Sequence, residues 1–220
     1  MDWLLLAPLT EGERAQVLST ALPRRFARGE VILHEGDPAD SLHLVSKGRL
    51  AVRSLTPDGD AVMLNLLVPG DYFGELALLH PERTSHRTAT VLALEPAETL
   101  SLTAAAFRQL CETHPRVDHL LTTLLARRVE ELSKRLLEAL YVGLDRRVYR
   151  RLVELCDVYG TQEDVSIIPL TQDQLADLVG GTRPSVNQVL QKLAAQNVLV
   201  LGRGRIEVRD RAMLQRRAGA

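Results

Sequence analysis

Gly70-Asp71-Tyr72-Phe73-Gly74-Glu75-Leu76-Ala77-Leu78-Leu79 is followed, twelve residues after its glutamate, by Arg87-Thr88-Ala89-Thr90-Val91. A glycine that permits close backbone approach, a carboxylate that accepts from hydroxyls and an arginine beyond a short connection suit a sugar carrying one phosphate. Outward toward the N-terminus the chain reads as short β-type runs parted by turn signals: Val31-Ile32-Leu33, Leu42-His43-Leu44-Val45, Leu50-Ala51-Val52 and Val62-Met63-Leu64-Asn65-Leu66-Leu67. Glycines at 29, 36, 48, 59 and 70 recur every 7 to 12 residues and mark its turns. Spacing this regular predicts a small antiparallel barrel with a concave mouth.

Outward toward the C-terminus the pattern changes to helix after Thr103, first from Ala104 to Glu112 and then, beyond Pro115, in a long segment ending near Gly143. Leu121, Leu125, Val129, Leu132, Leu136 and Ala139 recur at three- and four-residue spacing, a coiled-coil seam. An ordinary core helix is one reading and pairing with a second copy the other. The second is favoured, because a small barrel cannot cover a helix of about 28 residues and about 40 Å. Asp145 is expected to cap a fresh helix running from Arg146 to Tyr159, with Gly143 as a hinge before it.

Beyond a strand at Val165-Ser166-Ile167-Ile168, Thr171-Gln172-Asp173-Gln174 fits a capping box, and Gly180-Gly181 ends the helix that it opens. Thr182 caps the next helix, with Pro184 in its first turn. Val186, Val189, Leu190 and Leu193 form its buried face and leave Arg183, Ser185, Asn187, Gln188 and Gln191 outside. Arginine, asparagine and glutamine pair with base edges in the major groove, and serine can serve base or phosphate. A hairpin follows, with Arg203 between glycines at its tip and Arg205 just beyond. Helix, tight turn, polar-faced helix and basic hairpin together predict a winged helix-turn-helix, the alternative being a helical hairpin with no role on DNA.

Composition agrees with a globular chain of two domains: 220 residues, 45% hydrophobic and 25% charged. The net charge of −1 hides a gradient, with +3 on residues 145–220 and −4 on residues 1–144. Cys111 and Cys156 stand far apart without a CxxC motif, so reduced, buried thiols and no metal centre are expected. No apolar run approaches the length of a membrane span, and Met1-Asp2-Trp3-Leu4-Leu5-Leu6 lacks the basic start of a signal peptide. A cytoplasmic protein with no membrane association is the expectation. P-loop, GxSxG, HExxH and complete Rossmann fingerprints are absent, which argues against an enzyme.

From about Leu9 to Asp210 the chain resembles the bacterial family of the cyclic-AMP receptor protein and the fumarate–nitrate regulator. The residues that carry the likeness are Gly29-Glu30-Val31-Ile32, Glu35-Gly36-Asp37, Gly48-Arg49-Leu50, Pro69-Gly70-Asp71 and Phe73-Gly74-Glu75-Leu76-Ala77-Leu78 in the first half. In the second half they are Leu125-Ala126-Arg127-Arg128, Leu175-Ala176-Asp177-Leu178-Val179-Gly180 and Thr182-Arg183. The resemblance implies an α+β fold: a jelly-roll β-barrel of the cyclic-nucleotide-binding type over 1–112, a dimerisation helix and hinge over 113–143, and a winged helix-turn-helix over 144–220.

It further implies that Glu75 takes the ribose 2′-hydroxyl, that Gly74 and the amides of Leu76 and Ala77 approach sugar and phosphate, and that Arg87 pairs with the cyclic phosphate. Thr88 can add a hydroxyl donor, and Arg83-Thr84 in the same connection is the alternative phosphate site. Positions 132 and 133 match the family's adenine-contacting hydroxyls, of which this chain keeps Ser133 and has Leu132. Arg128, one turn earlier, can reach the ligand or Glu75. Thr171, Thr182, Arg183, Ser185, Asn187, Gln188, Gln191, Arg203 and Arg205 are the expected DNA contacts. Pro184 and Gln188 replace two usual base readers, so the operator should differ from the best-known one. The implied function is a homodimeric regulator switched by cyclic AMP, bound to a palindromic DNA operator and touching RNA polymerase. A regulator of the same fold that needs no ligand or answers another signal is the alternative.

Overall fold

A computed structural model describes residues 3–56, 59, 61–76, 78, 86–160 and 165–219. They divide into two compact units between Glu130 and Glu131. In the first, a 3-10 turn at Leu4–Leu6 precedes α1 (Glu11–Ser19), whose start is closed by a reciprocal capping box of Thr10 and Glu13. Eight strands follow: β1 (Leu22–Phe26), β2 (Val31–Leu33), β3 (Ser41–Lys47), β4 (Leu50–Leu55), β5 (Ala61–Leu67), β6 (Tyr72–Phe73), β7 (Thr90–Ala93) and β8 (Ala97–Thr103). Then come α2 (Ala104–Thr113) and α3 (Pro115–Tyr141). The five spaced glycines all take positive φ, as turns between these strands require.

The strands form two antiparallel four-stranded sheets, β1-β8-β3-β6 and β2-β7-β4-β5. This corrects the expectation of a closed barrel. Closure needs ladders that continue around the circumference; here each sheet ends on its own edge strands, and β6 and β2 have only two and three residues.

Alternation along β3 explains how the first sheet is buried on both faces. Leu42 and Leu44 point one way, beside Leu102 of β8, into a core with Leu5, Leu6, Phe107, Leu110 and Val117. Val45 points the other way, with Phe73 and Ala97, and meets Leu50, Val52, Leu67 and Val91 of the second sheet. Side chains of Ser41, His43 and Thr99 belong to that second face, so polar groups lie inside the sandwich.

The second unit continues from the end of α3 into α4 (Leu144–Tyr159), β9 (Ser166–Ile168), α5 (Gln172–Val179), α6 (Arg183–Ala195), β10 (Leu199–Gly202), β11 (Arg205–Val208) and α7 (Arg211–Ala218). Strands β10-β11-β9 make one antiparallel sheet. Gly143 is the N-cap of α4 and makes no side-chain bond, so Asp145 lies inside the first turn. The expected Asp145 cap is therefore corrected; its carboxylate still favours the positive end of the helix. Val148, Leu152 and Leu155 of α4, Leu175 of α5, Val189, Leu190 and Leu193 of α6 and Ile206 of β11 are all buried in this unit.

Candidate ligand pocket and nucleic-acid interface

The segment after β6 carries the glutamate, the segment before β7 carries the arginine, and both line one cavity. Gly74, Glu75, Leu76, Arg87, Thr88 and Arg128 border it, against an apolar wall that includes Val52 and Val91. Gly74 has φ of +90°, and a Cβ placed on it would lie 2.8 Å from Arg87 Nη1 and 2.9 Å from the Ser41 carbonyl oxygen. Only glycine meets both the backbone shape and the approach of the guanidinium.

Two charges in this cavity are almost fully removed from solvent: Glu75 is 2% exposed and Arg87 4%. Arg128 Nη1 stands 3.4 Å from Glu75 Oε1. Burial raises the Glu75 pKa, and the Arg128 charge pulls it back in part. Arg87 is held more closely. Its Nη1 donates to the carbonyl oxygens of Ser41 at 2.7 Å and Gly74 at 3.3 Å, and its Nη2 donates to Asp40 Oδ1 at 2.9 Å and Ser41 Oγ at 3.1 Å. Burial lowers its pKa while Asp40 acts to raise it. The backbone is fixed as well, since Arg87 N donates to the Asp37 carbonyl and Gly36 N to that of Arg87.

Asp40 and Ser41 are neighbours of Arg87 that sequence reasoning missed. They lie 47 and 46 residues from Arg87 and join it only through the turn that brings the start of β3 to the end of the connection before β7. Of the other expected ligand residues, Leu132 and Ser133 are exposed on α3 and belong to the second unit. Ala77, Arg83 and Thr84 lie outside the described residues. With Arg128 on Glu75 and Arg87 on its own acceptors, the cavity measures about 50 Å³.

In the second unit the expected DNA-facing residues gather on α5, α6 and the β10–β11 hairpin. Thr171 closes a capping box with Gln174, and Gly180 ends α5 in the left-handed conformation at φ of +63°. Arg147 of α4 reaches across to donate from Nη1 to the Val179 carbonyl at 2.7 Å, satisfying a terminal acceptor of α5. Thr182 accepts from Ser185 N, and the two hydroxyls lie 2.9 Å apart. Val186, Val189, Leu190 and Leu193 are buried, which leaves Arg183, Asn187, Gln188 and Gln191 on the outward side. Arg183 Nε stands 3.2 Å from Asp173 Oδ1 with both side chains well exposed, a contact worth little in solvent. Arg203 and Arg205 are exposed at and beside the hairpin turn.

A buried carboxylate and guanidinium in one β-sheet cavity, followed by a helix pair with a polar outer face, define a ligand-binding module joined to a DNA-binding one. Comparison with known proteins agrees: residues 23–114 match the cyclic nucleotide-binding domain, and residues 146–217 match the Crp-like helix-turn-helix domain. The chain is 30% identical over 199 residues to the CRP-like cAMP-activated global transcriptional regulator of Mycobacterium tuberculosis, covering 89% of this chain and 88% of that one. It is 32% identical over 213 residues to the cyclic AMP receptor protein of Thermus thermophilus, covering 95% of each. In three dimensions it resembles the c-di-GMP responsive global regulator CLP of Xanthomonas campestris, with a TM-score of 0.79, 20% identity and coverage of 90% and 99%. The chain belongs to the CRP/FNR family of transcription regulators. Its domains and relatives are those of regulators and not of enzymes.

Proposed function

We propose that the chain is a dimeric, cytoplasmic transcription regulator whose binding to a palindromic operator is switched by a cyclic nucleotide, with cyclic AMP as the ligand. The observation that carries this reading is the pair of buried opposite charges, Glu75 and Arg87, bordering a single cavity. A cyclic phosphodiester has one negative charge, which one guanidinium and nearby backbone N–H groups can neutralise, while a fixed carboxylate selects a ribose hydroxyl. In this reading Thr88 assists the phosphate and Arg128 leaves Glu75 to meet the ligand. Arg183, Asn187, Gln188 and Gln191 read bases; Thr171, Thr182, Ser185, Arg203 and Arg205 hold phosphates. We read the two-sheet strand order as a jelly roll, residues 113–143 as the dimerisation helix and hinge, and the C-terminal unit as a winged helix-turn-helix that also meets RNA polymerase.

One observation favours the same-fold alternative, a regulator that acts without a nucleotide: the cavity is small, and both Nη groups of Arg87 are bonded to internal acceptors. Titration calorimetry separates the two readings. Cyclic AMP is expected to bind the wild type, and Glu75→Ala or Arg87→Ala to weaken binding at least tenfold, the usual scale for removing a buried charged partner. Equal affinity in all three proteins would remove both residues from the ligand site. The same titration with cyclic GMP and with c-di-GMP, to which the Xanthomonas relative responds, tests the choice of nucleotide.

A further inference from the structure

Behind Arg87, inside the β-sandwich, lies a buried titratable group to which the pocket's chemistry gives no role. His43 on β3 is 5% exposed and Thr99 on β8 only 1%. The His43 ring is stacked on Phe73, with centroids 5.0 Å apart and planes 13° from parallel. Its Nε2 is 3.2 Å from Ser41 Oγ, and its Nδ1 is 3.1 Å from Thr99 Oγ1. Ser41 is the residue to which Arg87 donates twice, through the carbonyl oxygen and the hydroxyl.

Strand geometry places these groups in line. Ser41 and His43 are two residues apart on β3 and share a face, and Val45 pairs with Thr99, which puts Thr99 diagonally across from His43. Proton counting then gives the row a direction. Ser41 donates its only hydroxyl proton to Asp40 Oδ1 at 2.7 Å and accepts from Arg87 Nη2. Its bond with His43 must therefore be one that it accepts, which puts a proton on Nε2. Burial and the Arg87 charge hold the ring neutral by lowering its pKa to about 4, so Nδ1 keeps a lone pair and takes the Thr99 hydroxyl. Every donor in the row points the same way, from Thr99 through His43 and Ser41 to Asp40.

We infer that His43, fixed as the neutral Nε2–H tautomer between Thr99 and Ser41, is a positioning residue that holds Ser41 Oγ as an acceptor for Arg87 and so fixes where the guanidinium charge stands for a nucleotide phosphate. The inference rests on reading the cavity as a cyclic-nucleotide site. Arg87 is held by two anchors at Ser41, and His43 is one of the groups that orient the hydroxyl anchor; without the imidazole N–H, Ser41 Oγ keeps only its bonds to Asp40 and Arg87, and the anchor is held less firmly. The carbonyl oxygens of Ser41 and Gly74 still hold Nη1, so the loss is partial.

The test compares cyclic AMP binding to the full-length wild type, His43→Phe and His43→Gln by titration calorimetry, with melting curves recorded for all three. Phenylalanine keeps a ring against Phe73 and removes both hydrogen bonds; glutamine returns an amide N–H near the Nε2 position and gives up the stack. Binding by H43F is expected to weaken about fivefold to tenfold, the scale of one buried hydrogen bond, and H43Q to stay within about twofold of wild type. Unchanged affinity in H43F overturns the inference, and H43Q as weak as H43F overturns it in favour of simple ring packing. Long-range 1H–15N spectra of unliganded wild type decide the matter independently of how the variants fold. A protonated Nε2 with bare Nδ1 supports the relay, and a protonated Nδ1 overturns it. A wild type that binds no cyclic nucleotide overturns the reading of the cavity instead, and the spectra still judge the relay.

Discussion

Arg87 keeps a full positive charge with only 4% of its surface exposed because Asp40, Ser41 and Gly74 supply four acceptors around it. Those acceptors do more than satisfy it, since they fix the place of the guanidinium charge before any ligand arrives, at the cost of competition from Asp40 for the same charge. His43 shows the other side of burying ionisable groups. Its pKa in the folded protein is about 4, below the ordinary 6.5, so the denatured chain takes up a proton first as the solution is acidified. Between those values stability therefore falls as pH falls, and it is retained above the higher one. Wild type should lose about 3 kcal/mol more than H43F between pH 7 and pH 4, as read by urea denaturation at a series of pH values. Parallel curves for the two proteins would mean that the imidazole carries no such penalty.

At the scale of elements, α3 changes character along its length. Val117 and Leu121 are buried in the first core, whereas Val129, Leu132, Leu136, Leu137, Leu140 and Tyr141 are exposed apolar residues. A stripe of this size on one helix is the feature that pairing with a second copy would bury. On the proposed pairing, wild type should be a dimer in light scattering and Leu136→Glu a monomer with operator binding weakened at least tenfold, because one change removes about 1.5–3 kcal/mol of burial in each of two copies. A variant that stays dimeric would place the interface elsewhere. The elements most legible in the sequence were those specified by neighbours: Thr171 with Gln174, Thr182 before Pro184, and Gly180 at a left-handed stop are all local signals. Asp145 was misplaced because Gly143 already supplies the extended backbone of a cap, two residues earlier than the side-chain pattern suggests. The closed barrel was misread because the alternation that marks a strand carries no information on whether its outer edge finds a partner. Glu75 and Arg87 stood out by residue type and spacing, while Asp40, Ser41 and His43 did not, since cross-strand register alone brings them to the arginine.

Across the whole molecule the charge is divided, with the excess of basic residues in the C-terminal part and of acidic ones before it. That division suits a chain in which one unit meets a polyanion and the other meets a single small phosphate. For a ligand in the first to govern DNA binding by the second, it must bind the DNA-competent arrangement more tightly than the other; a nucleotide held equally well by both shifts nothing. The most direct measurement is the affinity of the wild-type protein for a selected operator at fixed salt, with no nucleotide and with saturating cyclic AMP, cyclic GMP or c-di-GMP. Cyclic AMP is expected to tighten binding about tenfold or more, within the usual range of allosteric coupling, and Arg87→Ala to abolish that gain. Equal operator affinity under all four conditions would contradict a nucleotide switch and leave a regulator of this family that acts without one.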